Sequence, residues 1–469
     1  MQLKLSEIRN ILGAAGPELD AVTTGYSIDS RTLSEGDLFF AIHGEKFDGH
    51  AFVANVLSHG AAGAVIARSQ AEKFAALDAA RLIIVDSTLE ALQRLARAVR
   101  ERWHGRVIGV TGSVGKTTTK EAIARVLGSR WKVLKSHGNL NNGYGMPLQL
   151  LKVDASDQMA VLEMGMSSAG EIAALAKIAE PDWGVVTVAA PVHIEFFADG
   201  MDGVARAKRE LVEALPASGV AFLNADDARV AGFREHTKAR VVTFGWREAA
   251  DIRATGVKDL GAAGSSFVLE RKQDEAAGER AVCRLRLLGL HNVTNALAAA
   301  AVGVEAGLTV AECAAALAEM VPPESRGQTL RLGGAFVIND CYNSNPLALE
   351  AMADALASVS ARRRIVVAGE MLELGQEAES LHAACGRYIA AKKMDWLIGV
   401  RGQARAMVDA ARAAGMAATY FETPEEAGDW LDENLRADDA VLLKASRGVR
   451  LERALERLVE RRKPKKEQS

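Results

Sequence analysis

The sequence predicts an α/β protein of three domains, on three observations. From Arg106 to Ala306, short apolar runs alternate with amphipathic stretches of helical period. A glycine-rich segment, Thr111-Gly112-Ser113-Val114-Gly115-Lys116-Thr117-Thr118, stands between one apolar run and one helical stretch. A second β/α alternation begins after Pro322-Pro323, a natural breakpoint. The expected architecture is a small mixed α/β N-terminal domain over residues 1–88, a central P-loop domain built on a parallel sheet over 89–321, and a C-terminal Rossmann-like domain over 322–469.

Each part has its own signals. Met1 to Asn10 alternates polar and apolar residues and has no signal-peptide core. Apolar runs at Asp37–Ile42, Ala64–Ala67 and Leu82–Val85, punctuated by Gly44, Gly49, Gly60 and Gly63, make the N-terminal strands. Leu89–Trp103 is helical, with Leu92, Leu95, Ala96 and Val99 on one face and Arg94, Arg97 and Arg100 on another, and connects to the second domain. There the spacing predicts strands at Arg106–Val110, Met159–Met164, Gly184–Ala189, Val220–Asn224 and Arg240–Phe244. It predicts helices at Lys116–Leu127, Ser168–Ile178, Met201–Leu215 and Asn292–Ala306. Residues 251–288 break the rhythm and read as two or three antiparallel strands around Gly261–Gly264. The third domain takes strands at Ala335–Ile338, Ile365–Ala368, Trp396–Val400 and Ala440–Leu443. Arg461–Lys466 holds five basic residues in six and reads as a solvated, frayed terminus.

Composition excludes several classes. Of 469 residues, 49% are hydrophobic and 25% charged, as in ordinary globular protein. Fifty-seven basic against sixty acidic residues give a net charge of −3, which argues against a nucleic-acid binder carried by bulk charge. No apolar run reaches the roughly 20 residues a bilayer span needs, so membrane insertion is not expected. Cys283, Cys313, Cys341 and Cys385 lie far apart, with no CxxC pair. The expectation is a reduced, cytoplasmic enzyme, read as a monomer.

The segment 111–118 carries the strongest chemistry. Glycines let backbone N–H groups approach phosphate oxygens, and the following helix start adds its positive dipole end. Gly112, Ser113, Gly115 and Thr118 would form the cradle, Lys116 would reach the β/γ phosphates, and Thr117 would ligate Mg²⁺. The strict P-loop spacing puts a glycine at position 110, where this chain has Val110; Gly109 comes one residue early. A cradle alone leaves kinases, GTPases and ligases all open.

Further motifs follow in order: Gly138-Asn139-Leu140-Asn141-Asn142, Glu163-Met164-Gly165, His193, Lys208-Arg209-Glu210, Gly289-Leu290-His291-Asn292-Val293-Thr294-Asn295, Asp340-Cys341-Tyr342-Asn343-Ser344-Asn345-Pro346 and Gly369-Glu370-Met371-Leu372-Glu373-Leu374-Gly375. With the phosphate loop, this set resembles the Mur ligase family, the ATP-dependent amide ligases of peptidoglycan precursor synthesis, over essentially the whole chain. The segments at 138–142, 163–165, 340–346 and 369–375 favour the branch that adds D-alanyl-D-alanine over the branch that adds meso-diaminopimelate. Asp29-Ser30-Arg31, Gly36-Asp37-Leu38-Phe39 and Asp48-Gly49-His50 are similar to the uridine-nucleotide domain of both.

The resemblance implies a reaction in which ATP converts a carboxylate to an acyl phosphate, which an amine then attacks. Two anions must be brought together, so the residues' task is charge cancellation and alignment. It implies that Glu163 holds one Mg²⁺ with Thr117, and that His193 ligates a second near the acyl phosphate. It implies that Lys208 is N-carbamylated, turning a cation into a carbamate that supports the second metal. Arg209 stands where a small residue is expected. Asn292 and Asn295, three apart on one helix face, suit an adenine edge; helix capping is the ordinary role of such an Asn292. Arg326 would reach the ATP phosphates and Asp340 the ribose hydroxyls.

The substrates so implied are UDP-N-acetylmuramoyl-tripeptide and D-alanyl-D-alanine. Ser30, Arg31 and His50 are expected at the uridine nucleotide and Asn139 and Asn142 at the muramyl-peptide side. Tyr342, Asn343, Asn345 and Lys444 are expected at the dipeptide, with Arg447 on its carboxylate. The split of motifs between two domains implies that the third domain rotates inward. Three other readings stay open: a ligase adding a single amino acid or a folylpolyglutamate-type ligase, a P-loop kinase making no amide, and a nucleotide-gated scaffold.

Overall fold

The computed structural model describes residues 1–17, 19–44, 47–138, 140–272 and 278–462. Three sheets organise it. The first has four parallel strands in chain order, Gly25–Ser27, Asp37–Phe40, Gly63–Ala67 and Leu82–Val85. The alternation at Met1–Asn10 does not make a strand there: Leu5–Leu12 is a helix that buries Leu5, Ile8 and Leu12 on one face, ended by Gly13 in the left-handed region. The connecting helix runs Thr88–Arg102, with Ser87 accepting from the Glu90 N–H at its start. Its buried face is the one the spacing predicts. That face joins a single core containing Leu38 and Val65 of the first sheet and Met146, Leu162 and Ile172 beyond it, so the helix serves both sides.

The second sheet has nine strands. Arg106–Thr111 lies inside it, flanked by Met159–Glu163 and Trp183–Val186, both parallel. Chain order reverses across this strand, and in open α/β sheets ligands bind beyond the strand ends at such a reversal. The strand expected at Gly184–Ala189 stops at Val186 because the next residues hold the phosphate loop instead: Val188 O accepts from Ser113 N, and Ala190 N donates to Ser113 Oγ at 2.9 Å. Likewise the helix expected from Ser168 begins at Glu171, whose carboxylate accepts from Ser167 N and Ser168 N. The irregular region is as the sequence implies. Ile252–Asp259, Ser265–Arg271 and Arg280–Leu285 are antiparallel neighbours around a turn at Gly261–Ala263.

The third sheet has six strands, five of them parallel, with Gln328–Leu332 antiparallel at the edge. Asp439–Lys444 lies between Ala335–Asp340 and Arg363–Gly369, which aligns Asp340, Lys444 and Ala368 at one sheet end. The last helix, Glu452–Arg462, is paired to Pro424–Asn434 through Arg457–Asp429 and Arg462–Asp432. The remainder of the basic tail, from residue 463 on, lies outside the described residues. Among the described residues no helix is long and apolar enough to cross a membrane.

Candidate functional site

The carboxyl ends of the second and third sheets open into one cleft of about 590 Å³, a size suited to a nucleotide. It is floored by the phosphate loop. Gly112 has φ +148, and a Cβ there would lie 1.9 Å from Thr187 Oγ1; Gly115 has φ +86, and a Cβ there would lie 2.5 Å from Asn295 Oδ1. Both positions therefore demand glycine for space as well as for backbone angle. Gly115→Ala is expected to weaken ATP binding about tenfold or more, equivalent to about 1.4 kcal/mol, in a calorimetric titration.

Helix Lys116–Leu127 starts at the loop, so its free N–H groups face the cleft. Lys116 Nζ donates to Gly112 O at 2.8 Å, curled over the loop. Burial pushes its pKa down; Glu163 opposes this and the Arg326 cation adds to it. Thr117 Oγ1 donates to Glu163 Oε2 at 2.8 Å, which brings the two expected metal-holding groups together. The other Glu163 oxygen accepts from Asn141 Nδ2, also at 2.8 Å. Glu163 is 2% exposed and both its oxygens are held by neutral donors, a carboxylate of the type a hard cation takes. Asn141 had no assigned role in the sequence; its side chain is aimed by the Gly165 N–H bond to its own carbonyl.

Lys208 is 2% exposed, on helix Gly200–Glu213. Burial and then the Lys116 ammonium push its pKa well below the usual lysine range, and among the described residues no neighbouring carboxylate offsets them. Glu210, two residues on, turns instead to the N–H groups of Gly170 and Ala173. Arg209 points to Glu213 and His236, away from this face, so the unexpected arginine leaves the site undisturbed. Among the described residues no three His, Cys, Asp or Glu side chains cluster as a metal site. The donors expected for metal are of mixed type, a carboxylate, a hydroxyl, a histidine and a modified lysine.

Asn292 and Asn295 reach the cleft but are already bonded to the fold. Asn295 Nδ2 donates to Asn292 Oδ1, Thr119 Oγ1 donates to Asn295 Oδ1, and Asn292 Nδ2 donates to Leu288 O. Asn292 is not the helix cap; the helix begins one residue earlier, at His291. His291, unassigned in the sequence reading, also lines the cleft. Burial pushes its pKa down to about 4, and its Nδ1 has no partner. Below pH 6.5 the unfolded chain binds the extra proton and the folded chain refuses it until about pH 4. Stability therefore rises with pH across that window, by at most about 3 kcal/mol from this residue. His291→Leu is expected to flatten this limb in urea midpoints measured at pH 4.5 and 7.

The third domain supplies the opposite wall. The Arg326 guanidinium stacks 4.0 Å from the Tyr342 ring centroid, and Arg447 lies 5.8 Å from the same ring. Lys444 Nζ donates to Asp340 Oδ2 at 2.5 Å and to Asn343 O at 2.8 Å, both within the protein, so its first task is to hold those groups. Asn345 Oδ1 accepts from Ala348 N and caps helix Pro346–Ser358. Arg447 pairs with Glu452 and is exposed. Arg326, Asp340, Tyr342, Asn343, Asn345, Lys444 and Arg447, with Asn142, line the same cleft as Lys116 and Thr118. The lining holds four cations, Lys116, Arg326, Lys444 and Arg447, and four carboxylates, Glu163, Glu171, Asp340 and Glu373; Lys444 is paired with Asp340 and Arg447 with Glu452, which leaves Lys116 and Arg326 to meet a polyphosphate.

His193 and Glu373 meet at the rim, with Nδ1 and Oε2 2.6 Å apart, off the line of a full hydrogen bond. Both have left-handed backbones, φ +61 and +64. Each such non-glycine residue costs about 1–3 kcal/mol, whereas a partly exposed ion pair returns about 0–1 kcal/mol. Stability is therefore no reason for the contact.

The three residues expected at the uridine nucleotide lie apart from the cleft. Arg31 is exposed and paired to Asp29, whose carboxyl it holds down at about 2. Ser30 stands between them. His50 is buried, with Nδ1 at 2.6 Å from Asp48 Oδ1 and Nε2 accepting from Ala67 N at 2.9 Å. Both ring nitrogens are thus used inside the fold. Asn139 lies outside the described residues.

Comparison with known proteins adds three family models and several relatives. Residues 22–100 match the Mur ligase family catalytic domain, 110–303 the Mur ligase middle domain, and 325–447 the Mur ligase glutamate ligase domain. A UDP-N-acetylmuramoyl-tripeptide–D-alanyl-D-alanine ligase of Bacillus subtilis is 34% identical, covering 95% of both chains. One of Escherichia coli is also 34% identical, covering 87% of this chain and 88% of its own. A crystal structure of MurF from Acinetobacter baumannii superposes with a TM-score of 0.87 at 29% identity, covering 98% of this chain and 99% of its own. The MurF ligase of Thermotoga maritima in complex with ADP gives 0.80 at 28% identity, covering 93% and 97%.

Proposed function

The chain belongs to the Mur ligase family, and from that premise we propose that it joins D-alanyl-D-alanine to UDP-N-acetylmuramoyl-tripeptide at the expense of ATP. The observation that carries this reading is the single cleft that brings Lys116, Thr117 and Glu163 of the central domain against Arg326, Asp340 and Tyr342 of the C-terminal domain. A phosphate loop alone fits a kinase equally well. The second wall adds a place for an amine nucleophile beside the transferred phosphoryl group, which a kinase making no amide does not use. ATP is the nucleotide, in keeping with the ADP bound by the MurF ligase of Thermotoga maritima.

The chemistry follows from the charges. The tripeptide carboxylate attacks the γ-phosphorus, ADP leaves, and an acyl phosphate forms. The dipeptide amine then attacks the acyl carbon, and phosphate departs from the tetrahedral intermediate. Lys116 and the loop N–H groups hold the β/γ oxygens, and Arg326 adds charge from the other side. Glu163 and Thr117 fit Mg²⁺, which when bound screens the phosphates from the incoming carboxylate. Burial and Lys116 push the Lys208 amine towards the neutral form that carbamylation by CO₂ requires: an N–C bond forms, a proton leaves, and a carbamate anion takes the place of the amine beside Lys116. With His193 that carbamate suits a second Mg²⁺. Asn142 and the N-terminal domain, through Ser30 and Arg31, lie on the muramyl-nucleotide side; Tyr342, Asn343 and Arg447 lie on the dipeptide side. The cytoplasm, where ATP and reduced cysteines coexist, is the fitting compartment.

The test is phosphate release from ATP with purified protein, muramyl tripeptide and D-alanyl-D-alanine, each omitted in turn, with mass spectrometry for the new amide. Release is expected only with all components. Release without the dipeptide, or with a single amino acid in its place, would support the kinase or single-residue readings instead.

A further inference from the structure

Two loops from different domains meet at the cleft rim. One follows strand Trp183–Val186 and carries His193; the other follows strand Arg363–Gly369 and carries Glu373. The second loop is pinned just before Glu373. His382 Nε2 accepts from Met371 N at 2.9 Å, and Leu372 N donates to Ser446 Oγ at 3.0 Å. Just after it, Gly375 (φ +56) fits against Glu195, to whose Cβ a Cβ at 375 would come within 2.8 Å. The loop is therefore built to present one carboxylate, and that carboxylate sits 2.6 Å from His193 Nδ1. The strain in both backbones exceeds what a side-chain contact at this exposure returns, and strain of this kind is kept where geometry matters.

We infer that Glu373 is a positioning residue: it holds the His193 ring through Nδ1 and leaves Nε2 as the nitrogen offered to the cleft. A carboxylate at one ring nitrogen makes that nitrogen the N–H donor and the other the lone-pair bearer. Glu373 belongs to the same domain as Asp340 and Tyr342, so the histidine is set in place by the arrival of the wall that carries the dipeptide. Glu373 acts through His193. This inference deepens the proposed ligase reading and rests on it for the role, though not for the contact.

The experiment compares wild type, Glu373→Gln and Glu373→Asp. Steady-state kinetics should show kcat lowered about tenfold or more in Glu373→Gln and partly restored in Glu373→Asp, with KM for ATP within about threefold of wild type. Long-range proton–nitrogen spectra of the metal-free protein with ADP read the ring tautomer, with His193→Asn assigning the signal. The wild-type ring should carry its proton on Nδ1, and Glu373→Gln should show a mixture. An unchanged kcat, or a lowered kcat with the His193 tautomer unchanged, would overturn the inference. If wild type forms no amide, the ligase reading fails, while the spectra still decide the contact.

Discussion

Lys116→Ala is expected to lower kcat/KM for ATP-dependent amide formation on the order of 10³-fold, leaving no measurable phosphate release in the omission assay. The size follows from the position of the ammonium. Its Nζ rests on the Gly112 carbonyl at the start of the P-loop helix, half-buried and with Glu163 as its opposing charge. Removing it strips the β/γ oxygens of a cation in a site where little water screens them, and the incoming carboxylate meets the full phosphate charge. Lys116→Arg is not expected to rescue, since a planar fork cannot follow the curl over the loop that the flexible amine makes. A variant that still releases phosphate at a tenth of the wild-type rate would show that Arg326 and the backbone suffice.

Lys208→Ala is the second large effect, a loss on the order of 10²-fold or more in kcat, partly recovered by added short carboxylates. The side chain is buried, its amine is driven towards the neutral form by burial and by Lys116, and no carboxylate pairs with it. An unmodified ammonium there would repel both a metal and its own neighbour. A carbamate would reverse that sign, and a small carboxylate entering the space left by alanine would supply the same anion. Activity should be compared with acetate, with formate and with chloride at equal ionic strength. Recovery by chloride as well would mark a general salt effect, and no recovery by either acid would remove the carbamate from the mechanism.

Much of this was legible in the residues. The strand Arg106–Thr111 and the helix Lys116–Leu127 are local: apolar spacing, glycines with positive φ and a helix start are written within a dozen residues. The antiparallel excursion around Gly261 was visible for the same reason. Boundaries slipped where a distant partner intervened. Gly184–Ala189 lost its last residues to Ser113, and Ser168–Ile178 started late because Glu171 took the preceding N–H groups. The helix Leu5–Leu12 hid behind an alternation, since its three buried positions only become a face once the neighbouring sheet covers them.

The sequence by itself determined the phosphate cradle, the order of the motifs and the identity of the groups that titrate or bind cations, because these depend on residue types at short spacing. Only the tertiary structure decided which groups are free and which are spent. Lys444 is engaged by Asp340 across 104 residues of chain, His50 is closed off by Asp48 and Ala67, and Asn141 proves to be the amide that aims Glu163. Glu373 is brought to His193 by a loop from another domain. A hydrogen bond needs its partners within about 3 Å, and for residues far apart in the chain that distance is fixed by how sheets and domains pack, which no local pattern encodes.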